Sequence, residues 1–328
     1  MIFRTRRLLA RTALLCLTSA LAAAPAHADN YPSKPIKVVV PGPPAAATDA
    51  MARIIAADIT SVLAQPIIVE NMPGAGGLIA TRSVMKAEAD GYTIMIGHVA
   101  THAIVPALIQ PTPYDPVKDF TPVTLIGTAP DLLLVSTAGG IRNLPELLNQ
   151  GKSGKPISYG TPGVGLPQHV EGQLLGKAAG ITMQHIGYRG TPPAMIDLAG
   201  DRIAAVISTP GSAAPYLKSG KVKALAIASP ERSKFFPDVP TFAELGYPTV
   251  AKTVWFGFFA PAGTPAPVVK KLSQAMAASM AKPEIRAKLE NLYLDIAKDT
   301  SSEALDALVR SEAPTWMTSV KQLGITNE

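Results

Sequence analysis

Hydroxyl and imidazole side chains follow the predicted strands of this chain, at the points where each strand gives way to a loop. The segments concerned are "ATDAMAR", "GHVATH", "YGTPGVGLPQH", "GYRGTP" and "STPGS". Several of these loops lead directly into a predicted helix, and the first-turn N–H groups of a helix attract anions. The pattern therefore favours a binding site for a small anionic molecule.

Two other kinds of site are disfavoured by spacing. His98 and His102 are four residues apart, as metal-binding histidines on a helix often are, but they lie at a strand end and in a loop without a neighbouring Glu. The turn "PGAGGLIA" (73–80) resembles a dinucleotide-binding turn, but its third small residue comes one position late and the next strand ends at His98 instead of an acid. We expect no metal and no cofactor.

Catalysis is equally unsupported by motif. The chain has no G-x-S-x-G turn for a nucleophilic serine and no nearby carboxylate pair of the glycosidase kind. We therefore expect a binding protein. An enzyme on the same scaffold remains an alternative, with His98 and His169 as its one titratable pair.

The first 28 residues are typical of a secretory signal peptide. They contain four arginines, a short apolar run and an Ala26-His27-Ala28 end, and the run is too short for the roughly 20 residues of a spanning helix. We expect cleavage after Ala28 and export to the periplasm.

Once this leader is set aside, the charge and the cysteine content exclude several classes of partner and of site. The whole chain has 30 Lys+Arg and 24 Asp+Glu, and removing the four leader arginines leaves 26 against 24, or +2. This charge predicts no nucleic-acid partner and no membrane-surface patch. The only cysteine, Cys16, also lies in the leader, so the remaining chain has no disulfide and no thiol nucleophile.

Alternating strand and helix patterns predict an α/β fold with two lobes, each built on a mostly parallel sheet. Strands at 36–41, 66–71 and 92–97 alternate with helices at 48–64 and 78–89, and a second series of strands and helices covers 124–229. The segment "TVWFGFFAP" and the helices after it are expected to return to the first lobe. We predict lobe one at 29–125 and 253–328, lobe two at 126–252, and a cleft between them with two crossover segments as a hinge.

At this point the order of motifs resembles a known family. The segments "YPSKPIKVVVP", "QPIIVENMPGAGGLIA", "YDPVKDFTPVTLIG", "GYRGTPPAMIDLAGDRIAAVIS" and "WFGFFAPAGTP" are similar to those of the Bug-type solute-binding proteins of tripartite tricarboxylate transporters. The resemblance covers nearly the whole chain after the leader. It implies a periplasmic binding protein of type II architecture that closes on a small carboxylate and delivers it to membrane permease subunits, without cofactor or catalysis.

Two loops depart from the family pattern. Gly42 stands where an aromatic residue is usual, and Ala45 and Ala46 stand where the family has Gly-Gly. Leu166 replaces a hydroxyl residue in the second loop. We expect a changed backbone path or a changed ligand, and a roomier, less polar pocket that fits an aromatic or other less polar carboxylate.

The predicted ligand-binding positions are distributed over both lobes. They are Pro44, Ala45, Ala46, Ala47, Thr48, His98 and Thr101 in lobe one, and Thr161, Gly163, Val164, Gly165, Leu166, His169, Tyr188, Gly190, Thr191 and Ser208 in lobe two. Asp49 is expected to cap its helix because a carboxylate would repel an anionic ligand. Arg189 either pairs with the ligand or is exposed. We expect a monomer; a periplasmic sensor that signals to a membrane partner is an alternative use of the same fold.

Overall fold

The computed structural model describes residues 31–109 and 111–325. The predicted signal peptide and its cleavage site lie outside these ranges. Within them, no helix combines the length and the apolar character needed to cross a membrane.

The elements alternate as the periodicity predicts through most of the chain. The strands are β1 (Ile36–Val40), β2 (Ile67–Asn71), β3 (Thr93–His98), β4 (Phe120–Ala129), β5 (Asp131–Ser136), β6 (Ile157–Thr161), β7 (Met183–Gly187), β8 (Ala205–Ser208), β9 (Val222–Ala228), β10 (Val254–Pro261) and β11 (Asp295–Ile296). The helices are α1 (Ala47–Leu63), α2 (Leu78–Met85), α3 (Val105–Leu108), α4 (Leu144–Lys152), α5 (Pro167–Ala179), α6 (Thr191–Ala199), α7 (Pro210–Lys218), α8 (Ala266–Ala281), α9 (Pro283–Glu290) and α10 (Ser302–Leu323). A π-helical turn, Ala100–Ile104, precedes α3.

The first sheet has the order β11-β4-β10-β3-β1-β2. Strands β2, β1 and β3 are parallel, whereas β10 runs antiparallel to both β3 and β4. The three parallel strands therefore end at one edge, and their loops are brought together there.

The second sheet repeats this arrangement with the order β7-β6-β8-β5-β9. Strands β7, β6 and β8 are parallel, and β5 is antiparallel to β8 and β9. In each sheet, the strand next to the three parallel strands is antiparallel to them. It is the first strand that the chain forms after crossing from the other lobe. Each sheet is thus mostly parallel, as predicted, and is mixed because the crossover strand enters against the parallel set.

The first crossover lies a few residues later than the sequence suggested. The apolar run 124–137 reads as one strand, but β4 pairs with β10 up to Ala129 and β5 joins the second sheet from Asp131. Pro130 separates the two, since proline lacks the N–H group that a continuous ladder requires. The second crossover is the short segment 251–253, which precedes β10.

Each lobe has its own apolar core. One continuous cluster covers the first sheet, α1 and the C-terminal helices, with Trp255, Phe258, Phe259 and Trp316 among its fully buried side chains. The second sheet is covered by two smaller clusters, one on each face. The helices after β10 pack on the first sheet, as predicted, and they are three separate helices with the short strand β11 inserted before the last.

Candidate ligand-binding cleft

The loops that follow the parallel strands of lobe one lie together. A Cβ atom placed on Gly77, in the turn after β2, would lie 2.6 Å from Thr101 Cγ2 after β3 and 3.0 Å from Pro41 Cβ after β1. The three strand ends therefore form one compact surface.

The corresponding loops of lobe two are joined by hydrogen bonds. Tyr188 N–H donates to the carbonyl of Thr161 and Gly190 N–H donates to that of Pro162, which ties the loop after β7 to the loop after β6. The hydroxyls of Thr191 and Ser208 are 3.0 Å apart, which ties the start of α6 to the end of β8.

The two loop surfaces touch across the lobes. A Cβ atom on Gly165 would lie 2.7 Å from Leu108 Cδ1, and one on Gly211 at the start of α7 would lie 3.3 Å from the carbonyl oxygen of Leu292. The strand-end loops of one lobe therefore face those of the other and enclose a cleft, where open α/β folds bind their ligands.

The first cleft loop, 41–49, adopts a glycine-like backbone without a glycine at its turn. Ala45 has φ 65°, in the left-handed region, and its N–H donates to Asp49 Oδ2 at 2.9 Å. Ala46 has φ −69° and ψ 162°, an extended conformation that any residue adopts. Of the two alanines, only Ala45 occupies a position that favours glycine.

Asp49 is engaged inside the protein. Its other carboxylate oxygen accepts hydrogen bonds from Arg53 Nε at 2.9 Å and Asn71 Nδ2 at 3.0 Å. Burial alone would raise its pKa, but the bonds from Arg53, Ala45 and Asn71 outweigh burial, and the pKa is lowered. The carboxylate stays ionised, secures the loop ahead of α1 and leaves no oxygen for a ligand.

His98 presents a neutral donor at the cleft. Its Nδ1 accepts the N–H of Ala100 at 3.1 Å, which places the ring proton on Nε2. Desolvation lowers the pKa of the half-buried ring to about 4, so it is uncharged at neutral pH. The side chain is suited to donate one hydrogen bond to an anion without carrying charge.

Three predicted contact hydroxyls are used inside the lobes. Thr101 Oγ1 donates to the carbonyl of His98, Thr161 Oγ1 donates to that of Gly163, and Tyr188 Oη donates to Asp197 at 2.7 Å. A hydroxyl has a single hydrogen to donate, so these side chains position the loops and we withdraw them as donors to a carboxylate. Sequence position alone does not show which way a strand-end hydroxyl points.

A stacked histidine pair supports the loop 162–166 from below. His169 and His185 rings are 3.7 Å apart and nearly parallel. Gly165 N–H points to His169 Nδ1 at 3.4 Å, and His185 Nε2 lies 2.6 Å from Thr161 Oγ1. Through these contacts His185 also positions this loop, which only the strand pairing of β6 with β7 reveals.

The remaining candidates lie at the rim and in the loops. Pro44 and Ala45 are exposed, and Gly163, Val164 and Leu166 are half-buried in the loop before α5. The side chain of Leu166 reaches over Gly163, where a Cβ atom would lie 3.5 Å from Leu166 Cδ1. Arg189 is exposed.

Four helices begin at the cleft without a side-chain cap in the described ranges. Their N-cap residues are Ala46 for α1, Leu166 for α5, Gly190 for α6 and Thr209 for α7. First-turn N–H groups have no partner inside their own helix. At α1 these are the N–H groups of Ala47, Thr48 and Asp49, which are the strongest anion-directed donors of the site because prolines occupy the first turns of the other three.

The described residues also form a groove apart from this cleft. A groove of about 750 Å³ between residues 112–119 and α10 contains none of the candidate positions, and it is lined by Asp115, Pro116, Val117, Pro314 and Met317 among others. Across 31–109 and 111–325, no group of three or more His, Cys, Asp or Glu residues is arranged to hold a metal ion.

Two mixed α/β lobes, two short crossovers and a donor-lined cleft define the class of two-lobed solute-binding proteins. The profile of the family described as "Tripartite tricarboxylate transporter family receptor" matches residues 51–325. The chain belongs to this family and is a periplasmic-type solute-binding protein.

Similar proteins agree with this assignment. Protein BugT of Bordetella pertussis (strain Tohama I) is 36% identical over 271 residues, 82% of each chain. The structure described as MatC (Rpa3494) from Rhodopseudomonas palustris with bound malate is 35% identical with a TM-score of 0.81, covering 88% of this chain and 100% of that one. R. palustris Rpa4515 with adipate is 30% identical with a TM-score of 0.82, covering 90% and 99%.

Proposed function

We propose that this protein captures a small organic carboxylate in the cleft between its lobes and delivers it to membrane permease subunits. The observation that carries the proposal is the N-terminus of α1, where three first-turn N–H groups face the cleft without a side-chain cap. His98 adds a neutral donor beside it.

The site recognises an anion through dipoles instead of a salt bridge. The seventeen ligand-binding positions predicted from the sequence include no lysine or arginine. Nearby Arg53 is bonded to Asp49 and, at 3.0 Å, to Asn71 Oδ1. Oriented N–H groups at helix termini stabilise one or two carboxylate groups without the desolvation cost of a buried cation.

The body of the ligand is an aromatic ring or another apolar group. Val164 and Leu166 present apolar side chains in the second loop. A hydrophobic group gains about 25 cal/mol for each Å² of apolar surface that it buries there. The malate and adipate in the similar structures support the carboxylate class, and the apolar lining supports a less polar member of it.

A thermal-shift screen tests the proposal with benzoate, 4-hydroxybenzoate, phenylacetate, adipate, malate, citrate and glutamate. We expect an aromatic acid at about 100 times its Kd to raise Tm on the order of 5 °C, since bound ligand stabilises only the folded state. Mass spectrometry of the native protein identifies any acid that copurifies with it.

Two variants separate the parts of the proposal. Leu166→Thr restores a hydroxyl and is expected to move the preference toward malate and citrate, whereas Gly42→Phe introduces the aromatic residue that is usual in the family and should weaken aromatic acids selectively. Stabilisation by citrate or glutamate and by no aromatic acid would end the aromatic proposal. Stabilisation by none of the acids, with a neutral or cationic compound copurifying, would end the carboxylate proposal.

Delivery and location are tested separately. Ligand-loaded protein should stimulate uptake by vesicles that contain the permease subunits, and ligand-free protein should not. Uptake that is independent of the protein would contradict this role and favour sensing. Recovered ligand should be chemically unchanged; turnover that disappears in His169→Ala would favour the enzyme alternative. N-terminal sequencing of exported protein should begin at Asp29.

A further inference from the structure

The hinge between the lobes contains a group of buried acids. Asp131 is the first residue of β5, directly after the crossover at Pro130, and its side chain is fully buried. Glu171 lies on α5 and is also fully buried. Lys252 lies in the second crossover, with its Nζ 4.8 Å from the ring centroid of Trp316 on α10.

Helix α5 joins this group to both lobes. It belongs to lobe two by sequence, yet Val170 is part of the apolar core of lobe one and Leu174 packs against it. Gln168 and Glu171 are three residues apart on the same helix and therefore share one face. Changes at this face act on the packing between the lobes.

While both carboxyl groups are ionised, some acceptors of this group have no hydrogen-bond donor. Gln168 Nε2 donates to both oxygens of Asp131, at 3.0 and 2.9 Å. Gln168 Oε1 and both carboxyl oxygens of Glu171 are buried and have no hydrogen-bond partner among the described residues. Three buried acceptors therefore lack a hydrogen-bond donor, and two of them are the oxygens of one carboxylate. An unpaired buried carboxylate is costly in free energy.

A proton on Glu171 resolves this arrangement. The protonated carboxyl has an O–H group to donate, and Gln168 Oε1, three residues away on the same helix face, is a buried acceptor without a partner among the described residues. The amide of Gln168 then accepts from Glu171 and donates to Asp131, which is the first of the two acids to ionise as pH rises. The nearest cation, Lys252, forms no ion pair within 4.0 Å in the ranges 31–109 and 111–325.

We propose that Asp131, Gln168 and Glu171 form a one-proton binding site at the hinge, in which Glu171 carries the proton and its loss loosens the junction of the lobes. Loss of the proton leaves two buried negative charges, with one partly buried Lys252 to oppose them. Repulsion between the carboxylates then acts on the first crossover and on α5 together.

The electrostatics of the surrounding groups agree. Burial, and next the charge of Asp131, raise the pKa of Glu171 well above its usual range, and Lys252 opposes this weakly. Burial raises the pKa of Asp131 to about 7 while Gln168 lowers it. The other titratable groups that face the site are Tyr159 on β6, which is neutral, and Glu312 on α10, which faces Lys252.

Urea unfolding at pH values from 4.5 to 8 tests the proposal with wild type and Glu171→Gln. The folded-state pKa of Glu171 is raised, so its stabilisation is complete below the unfolded pKa and is lost as pH rises. We expect the unfolding constant of wild type to rise relative to that of the variant by tenfold per pH unit, up to the folded pKa. The histidines cancel in this comparison because both proteins contain them.

Difference infrared spectroscopy detects the proton directly. At pH 7 the carbonyl stretch of a protonated carboxyl group should be present in wild type and absent in Glu171→Gln. The matched control is Glu88→Gln, at an exposed acid, which should keep both the band and the wild-type slope. Hydrogen exchange at pH 8 should be faster at 129–132 in wild type than in Glu171→Gln.

The outcomes are decisive even when one variant fails to fold. Parallel pH profiles of wild type and Glu171→Gln, or a wild type without the band at pH 7, overturn the proposal. Asp131→Asn removes the charge that repels an ionised Glu171, so the carbonyl band should disappear at a lower pH than in wild type. An unchanged pH midpoint of that disappearance would contradict the interaction between Asp131 and Glu171. None of these measurements uses a ligand, so their outcome does not affect the proposed function, which is tested separately.

Discussion

At the scale of single residues, Ala45 shows how the cleft loop keeps its shape under strain. Its φ of 65° places the Cβ atom against the following carbonyl oxygen, at a cost of about 1–2 kcal/mol for an L-residue. The bond from its N–H to Asp49 and the network that holds Asp49 stabilise the turn. These hydrogen bonds therefore hold an alanine in a conformation that favours glycine.

Ala45→Gly is expected to stabilise the protein by about 0.5–1 kcal/mol, because relief of strain exceeds the extra entropy of glycine in the unfolded state. Chemical denaturation measures the change. Ala64→Gly is the matched control, since Ala64 has φ 53° at the end of α1, away from the cleft. Both should stabilise the fold, but only Ala45→Gly should change carboxylate affinity.

A loss of stability in Ala45→Gly would contradict the strained conformation. Ala50→Gly is a second comparison, and it is expected to lower the free energy of unfolding by a similar amount in any case. Ala50 lies in the interior of α1, where glycine costs about 1 kcal/mol. The sign of the effect therefore distinguishes the turn from the helix next to it.

Residue roles were only partly predictable from the sequence. Asp49 was expected to cap its helix, but the N-cap residue is Ala46 and Asp49 lies in the first turn, where its bonds to Ala45, Arg53 and Asn71 give it an internal role. Nothing in the sequence indicated that Glu171 is fully buried, because an acid on a helix normally faces water. That placement depends on α5 packing against both lobes, which is a tertiary property.

At the scale of elements, the loop before α5 depends on strand β7 beneath it. The His185 ring stacks on His169 and bonds to Thr161, so three residues from different elements fix one loop. Burial, and next the neighbouring His169, lower the pKa of His185 to about 3. The ring is neutral at pH 7, and its protonation would break the stacked pair.

His185→Phe is expected to make the protein less sensitive to acid. The folded pKa is below the unfolded value of about 6.5, so stability is complete above pH 6.5 and is lost as pH falls toward 3. Replacing one such histidine should make that loss shallower by about 1.4 kcal/mol per pH unit. The variant loses about 1 kcal/mol at pH 7 with the bond to Thr161.

Urea denaturation at pH 7, 6 and 5 measures the slope. Gln184→Phe, at the adjacent exposed position of β7, adds the same ring without removing a titrating group and should keep the wild-type slope. Equal slopes in His185→Phe and wild type would show that folding does not lower the pKa of His185.

The order of the elements was predictable because helix and strand periodicities alternate clearly. The junction between the lobes was placed too early, since the run 124–137 is apolar throughout and periodicity does not show where a strand leaves one sheet for another. Pro130 was the available signal.

At the scale of the whole molecule, the lobes are held in register by contacts on both sides of the cleft. Gly165 meets Leu108 on one side, while Lys234 of lobe two bridges Glu290 and Asp295 of lobe one on the other, at 3.0 and 3.1 Å. Exposed ion pairs of this kind contribute about 0–1 kcal/mol each. Apolar contact at Gly165 is therefore the stronger control of closure.

Gly165→Ala is expected to hinder closure of the lobes. The new methyl group would lie 2.7 Å from Leu108 Cδ1, so either Leu108 rotates away or the lobes separate. We expect at least fivefold weaker binding of the acid that gives the largest thermal shift, measured by calorimetry. Small-angle scattering of the liganded protein should give a larger radius of gyration than wild type.

Backbone strain alone would also weaken the variant, so Gly140→Ala is the matched control. Gly140 has φ 73°, close to the 75° of Gly165, and a Cβ atom there would meet nothing within 4 Å. It should lose about 1 kcal/mol of stability and keep wild-type affinity. Adding Leu108→Ala to Gly165→Ala removes the obstructing side chain and should restore most of the binding. If affinity falls equally in Gly140→Ala, or is not restored in the double variant, the contact between Gly165 and Leu108 does not govern closure.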